Sequence, residues 1–257
     1  MRSLKAAKPK KRLSNSNLLF LIAAVIFVLM YLFAIISYPG SFLQFQTFFD
    51  LFNLNAPLII MTLGLCIVMI VGGIDISIGQ VCALVMMACA VLLESGVGSV
   101  WGALLLALGI GIAFGLLQGY LIAYLEIQPF IITLAGLFLA KGLLTTLHKD
   151  PINVTMPAFV SLVDFKIVIP WLGTENRLGF FIPCEIKPGA VVVVVLVVLL
   201  AALMKWTRFG RNVYAVGGNE QSAMMLGINV KRTKFFAYVI CGLMAGIAGF
   251  VFIMQIG

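Results

Sequence analysis

The chain has 257 residues, of which 63% are hydrophobic and 10% charged, with a mean hydropathy of +1.16. A soluble domain is about half apolar and a quarter charged and could not bury this much apolar surface. The net charge of +8 would fit nucleic acid only if the basic residues clustered on a folded polar face with stacking aromatics; instead they flank apolar blocks, which excludes that partner and makes lipid the relevant solvent.

Six of the 17 Lys and Arg lie before residue 13: Arg2, Lys5, Lys8, Lys10, Lys11 and Arg12. Residues 1–17 therefore read as a basic cytoplasmic tail, and 18–257 as a transmembrane domain. Seven apolar segments follow in order: Leu18 to Ser37, Ala56 to Val71, Ile78 to Leu93, Val100 to Leu125, Phe130 to Leu147, Pro188 to Met204 and Phe235 to Ile256. At about 1.5 Å per residue such blocks approach or exceed the thickness of a hydrocarbon core of about 30 Å. Each is predicted to be a helix, since backbone in lipid must satisfy its own polar groups and no alternating strand pattern appears. The fold class is all-α, a polytopic bundle of about seven spans. The first block is too long for a signal-peptide core and is expected to remain as a span.

Counting crossings from a cytoplasmic N-terminus returns the chain to the cytoplasm after six. The second basic cluster, in 205–234, then lies on the same side as the first, as the positive-inside rule requires. The connection 148–187 faces outward; its bases Lys149, Lys166, Arg177 and Lys187 are matched by Asp150, Asp164, Glu175 and Glu185. Its Pro151, Pro157, Pro170, Trp171, Phe180 and Phe181 predict a partly ordered loop at the interface. Asn153, Val154 and Thr155 form a glycosylation sequon that is expected to be unused. Cys66, Cys82, Cys89, Cys184 and Cys241 lack metal or CxxC spacing and read as packing residues.

Small residues recur on two spans: Gly111, Gly115 and Gly119 on the fourth, and Gly242, Gly246 and Gly249 on the seventh. Such faces let helices approach closely in lipid. Three places could carry chemistry. The first is Val71 to Gln80, where Gly72 and Gly73 weaken the helix and Asp75 puts a charge at bilayer depth. Asp75 and Ser77 either line a translocation path at a broken helix or form an ordinary cytoplasmic turn in which Asp75 caps the next helix. The second is Lys141, which could snorkel to the interface, line a cavity or pair with Asp75. The third is Thr207 to Phe235, where Asn219 is a good N-cap, Glu220 suits the helix dipole and Gly227 is placed for a C′ stop. A helix from Glu220 to Leu226 is too short to stand alone, so it packs on a partner through Ala223, Met224 and Met225, or on the protein's own membrane face. No phosphate-binding loop or catalytic motif appears, and the only histidine, His148, sits at a span end. No cofactor is called for.

On these residues the chain resembles the ribose/galactose-type permease family of bacterial ABC importers. The motifs are GGIDISIGQ from Gly72 to Gln80, PFIITLAGLFLAKGL from Pro129 to Leu143, and TRFGRNVYAVGGNEQSAMMLGINV from Thr207 to Val230, running on to GLMAGIAGF at Phe250. The resemblance implies a permease in the bacterial inner membrane that pairs with a second permease copy or paralogue, a cytoplasmic ABC ATPase, and a periplasmic solute-binding protein delivering a sugar. It implies that Gly72, Gly73, Asp75, Ser77, Thr133 and Lys141 belong to the substrate pathway region. It also implies that Arg208, Gly210, Arg211, Gly218, Asn219, Glu220, Ala223, Met224 and Gly227 form the segment that couples to the ATPase. The chain departs from the pattern where Lys141 replaces a frequent Arg, which a lysine cannot mimic as a bidentate donor, and where it stops at Gly257 while family members continue with further spans. The alternatives are a membrane-embedded enzyme or assembly protein, which needs convergent polar groups in the bundle, and a secondary transporter, which needs ion-coupling groups near the midplane.

Overall fold

The computed structural model describes residues 15–38, 44–96, 98–148, 152–175 and 181–256. The basic tail residues Arg2 to Arg12, and Lys149, Asp150, Pro151, Arg177, Phe180 and Gly257, lie outside them. Among the described residues the elements run α1 (Asn15–Ser37), α2 (Phe45–Ile70), α3 (Ile78–Glu94), α4 (Val100–Ala123), α5 (Pro129–Leu147), α6 (Pro157–Val163), β1 (Ile167–Glu175), β2 (Phe181–Ile186), α7 (Pro188–Trp206), α8 (Arg208–Gly218), α9 (Glu220–Met225) and α10 (Val230–Ile256).

All seven predicted apolar segments are helical, and six of the helices are long and apolar enough to cross a membrane. The chain is a multi-pass helical membrane bundle. Two ends differ from expectation: α2 begins at Phe45 rather than Ala56, and α10 at Val230 rather than Phe235. In both cases the helix extends beyond its apolar stretch into polar sequence, where propensity and tertiary contact, not hydropathy, set the boundary. The exception in length is α3, with 17 residues. It rises about 25 Å, close to the thickness of a hydrocarbon core, and its last residue, Glu94, reaches Thr155 of the 148–187 connection.

The organising helix is α10. Two-thirds of its apolar stretch is buried inside the chain, against none for α1, and it packs on α4, α2 and α3. Glycine makes this possible. A Cβ on Gly111 would collide with the carbonyl of Gly242, and one on Gly115 would come within 2.8 Å of the Tyr238 carbonyl. Gly119 faces the Phe235 carbonyl at 2.9 Å, and Gly246 the Ala107 carbonyl at 2.5 Å, so the two small faces read from the sequence meet each other in antiparallel register. Gly249 instead lets α10 approach Val85 of α3, with a Cβ 2.6 Å from that side chain. Between apolar helices in lipid, such close backbone approach supplies the dispersion contact that drives association.

The connection 148–187 holds structure that sequence reading did not predict: α6 and an antiparallel hairpin. The strands pair Ile167 with Ile186 and Glu175 with Phe181, with a register shift between Ile169 and Gly173. Pro170, which has no N–H for the ladder, sits in that bulge. A hairpin with open edges cannot lie in hydrocarbon, so this layer stands outside it. Side-chain amides of α2 hold it in place: Asn53 Oδ1 accepts from the Lys187 N–H at 2.9 Å, and Gln46 Oε1 from the Glu185 N–H at 2.8 Å. Lys166 pairs with Glu185 at 2.8 Å, and that carboxylate raises the lysine's pKa. Thr155 of the sequon bonds Glu94 through both its N–H and its hydroxyl, each at 3.0 Å.

A substitution pair tests the glycine seam. Gly111→Val should destabilise the detergent-solubilised protein by about 1–3 kcal/mol through overpacking, a fall of several degrees in thermal midpoint. Gly109→Ala on the same helix, where an added Cβ meets nothing within 4 Å, should leave the midpoint unchanged or raise it. Equal effects of the two would refute the seam.

Candidate functional site: the interrupted helix and the capped segment beside it

Helix α2 ends at Gly72 in a left-handed cap with φ +86°. The Gly73 N–H donates to the Val68 carbonyl at 2.9 Å and the Gly72 N–H to the Met69 carbonyl at 3.0 Å, the paired bonds of a Schellman stop. A Cβ at Gly73 would lie 2.5 Å from the Tyr238 hydroxyl. Five residues later α3 begins, so the chain is non-helical from Gly72 through Ser77, and Asp75 and Ser77 are buried there at 7% and 1% exposure.

The polar groups of this break are met by a closed set of partners. Asp75 Oδ1 accepts from the Ser77 N–H at 2.9 Å and the Ser77 hydroxyl at 2.7 Å, and Oδ2 accepts from the Cys241 thiol at 3.4 Å. Gln118 of α4 donates to Ser77 Oγ at 2.8 Å, and the Tyr238 hydroxyl to the Ile74 carbonyl at 3.2 Å. A Cβ on Gly136 of α5 would strike Gln118 Nε2. Asp75 thus does bond the start of α3, as in the capping reading, but in a buried network spanning four helices rather than at a solvated turn. Burying a carboxylate is costly unless its lone pairs are taken, and three donors take them here.

Of the other pathway residues, Thr133 is fully buried and its hydroxyl donates back to the Pro129 carbonyl at 2.8 Å. Lys141 does not reach Asp75; it is exposed on α5 and makes no ion pair among the described residues. The sequence alone took Cys241 as a packing residue and did not bring Gln118, Tyr238 or Gly136 to the break, since no local pattern distinguishes them from packing residues.

The capped segment lies beside the break. Thr207 caps α8, its Oγ accepting from the Gly210 N–H at 3.2 Å, and a Cβ on Gly210 would strike the Met204 carbonyl. Arg208 and Arg211 are exposed on α8. A Cβ on Gly217 would strike the carbonyl of Ile70, so α8 rests on the end of α2 just before the break. Gly218 leads to Asn219, whose side chain accepts from the Ser222 N–H at 2.8 Å. Helix α9 is six residues long, and Gly227, with φ +77°, ends it in a second Schellman pair: Ile228 N–H to Ala223 carbonyl and Gly227 N–H to Met224 carbonyl, 3.1 and 2.9 Å. Ala223 is turned inward, so the outward apolar surface is Met224, Met225 and Leu226, the last two 89% and 78% exposed. Two ion pairs tie this end together: Glu220 with Lys234 at 2.7 Å and Glu126 with Lys231 at 2.6 Å. The hydrogen-bonded Lys231 ammonium holds the Glu126 carboxyl below its ordinary pKa.

Comparison with known proteins places this arrangement. The family described as branched-chain amino acid transport system / permease component matches residues 47–257. The chain is 33% identical to the fructose import permease protein FruG of Bifidobacterium longum, over 99% of this chain and 73% of that protein. It is 35% identical to the inner membrane ABC transporter permease protein YjfF of Escherichia coli K12, over 92% and 68%. It is 31% identical to the ribose import permease protein RbsC of the same organism, over 87% of this chain and 66% of that one. No solved structure matches. Seven apolar helices among the described residues, two of them joined by a turn that buries an acid, and a match running from the second of them to the last residue make the chain a member of this permease family, a transport subunit rather than an enzyme.

Proposed function

We propose that the chain forms the transmembrane pathway of an ATP-driven importer for a sugar or sugar-like solute in the bacterial inner membrane. Its partners in this reading are a separate ABC ATPase, a periplasmic solute-binding protein, and a second permease copy or paralogue. The basic tail and 205–234 face the cytoplasm, and 148–187 faces outward. The opposed ends of α7 support this sidedness, since the hairpin precedes its first residue and the basic α8 follows its last. The sugar class is supported by the fructose and ribose named for two relatives.

One observation carries the reading. A short helix capped at both ends exposes Met224, Met225 and Leu226 at the polar end of the bundle, across a cleft from the turn that buries Asp75. Six residues do not hold a helix alone, and three adjacent exposed apolar side chains on a polar surface fit a protein groove, with methionine adapting to its shape. Asn219, Glu220, Ala223 and Gly227 shape this docking helix, while Arg208, Gly210, Arg211 and Gly218 hold its base. Gly72, Gly73, Asp75 and Ser77 form the part of the pathway that responds. Thr133 buttresses it from α5, and Lys141 contributes only along the exposed face of that helix.

Cysteines introduced at Glu220, Met224 and Met225 should crosslink to the co-expressed ATPase, whereas one at Trp171 in the hairpin should not; absence of links at all three α9 positions would refute docking there. Asp75→Asn removes the charge and leaves one carboxamide oxygen where two carboxylate oxygens accept; it should abolish most uptake while ATP turnover by the complex continues. Unchanged uptake would remove Asp75 from the pathway.

A further inference from the structure

Between α9 and the break the protein is not solid. A cleft of about 390 Å³ lies there, bordered by Gly72, Gly73, Glu126, Met224, Lys234 and Tyr238. Apolar packing therefore does not connect the exposed helix directly to the break; besides α8, which rests on the end of α2, an element that borders the cleft can carry a displacement of α9.

One face of α10 does so. Lys231, Lys234, Tyr238 and Cys241 are spaced by three, four and three residues, which puts them on one side of the helix over about 15 Å. Each makes a polar contact with a different part of the site: Lys231 with Glu126 in the α4–α5 turn, Lys234 with Glu220 of α9, Tyr238 with the Ile74 carbonyl, and Cys241 with Asp75. The start of α10 is also fixed to α9 by a short link, 226–229. That link closes α9 with the Gly227 stop and opens α10 with Asn229, whose side chain accepts from the Arg232 N–H at 2.9 Å.

We infer that this face of α10 transmits movement of the docking helix to the break, with Lys234 as the positioning residue toward α9 and Tyr238 as the one toward the break. This rests on the proposed docking of α9 and adds to it a specific route. A partly exposed ion pair such as Glu220–Lys234 contributes little to stability, so removing it should uncouple the two ends without unfolding the bundle. The seam of α10 on α4 makes the helix stiff enough to carry a displacement along its length.

The test uses the full-length protein reconstituted in vesicles with its ATPase and solute-binding protein, reading solute uptake and ATP hydrolysis together. Lys234→Glu and Glu220→Lys should each lower solute moved per ATP by about tenfold, within the range of a coupling between two sites. The double reversal should recover most of it, and Lys234→Arg should retain it. Tyr238→Phe, which removes one hydroxyl, should lower the ratio with the ATPase still co-purifying. Ratios unchanged in the single variants, or no recovery in the double reversal, would overturn the route. Failure of docking itself has another signature: ATPase co-purification indifferent to Met225→Glu.

Discussion

A chain that buries an acid in the turn between two apolar helices must satisfy the freed backbone and side-chain groups from its own atoms, because burying them unpaired is costly. The segment Gly72–Ser77 is where this protein meets that requirement, and much of the bundle is arranged around it. Two glycine N–H groups close the end of α2, and Asp75 and Ser77 bond each other. The remaining contacts come from Gln118 on α4 and from Tyr238 and Cys241 on α10. The glycine seam follows from the same need. Only close approach of α4 and α10 brings Gln118, Tyr238 and Cys241 within reach of one short segment.

The two ends of the bundle are built by different means. On the hairpin side, amides of α2 read strand backbone directly and an acid of α3 holds the loop at Thr155, giving a layer fixed by hydrogen bonds to the spans. On the α8–α9 side, helices are ended by glycines and joined by ion pairs around a cleft.

The sequence by itself determined the solvent, the helical class and the caps. Apolar blocks of this length leave no alternative to helices in lipid, and Asn219 and Gly227 act on backbone within a few residues, so their roles were readable locally. The small faces of α4 and α10 were readable too, as surfaces without partners. Tertiary structure alone decided which surfaces met and what surrounded Asp75. Cys241 is 166 residues from Asp75, and Gln118 is 41 from Ser77, separations that no periodicity reports. It also decided that Lys141 faces outward, that Ala223 turns in while Leu226 turns out, and that the polar connection folds into a hairpin. Each depends on which neighbour occupies the space beside a residue, and packing settles that only after the helices have formed.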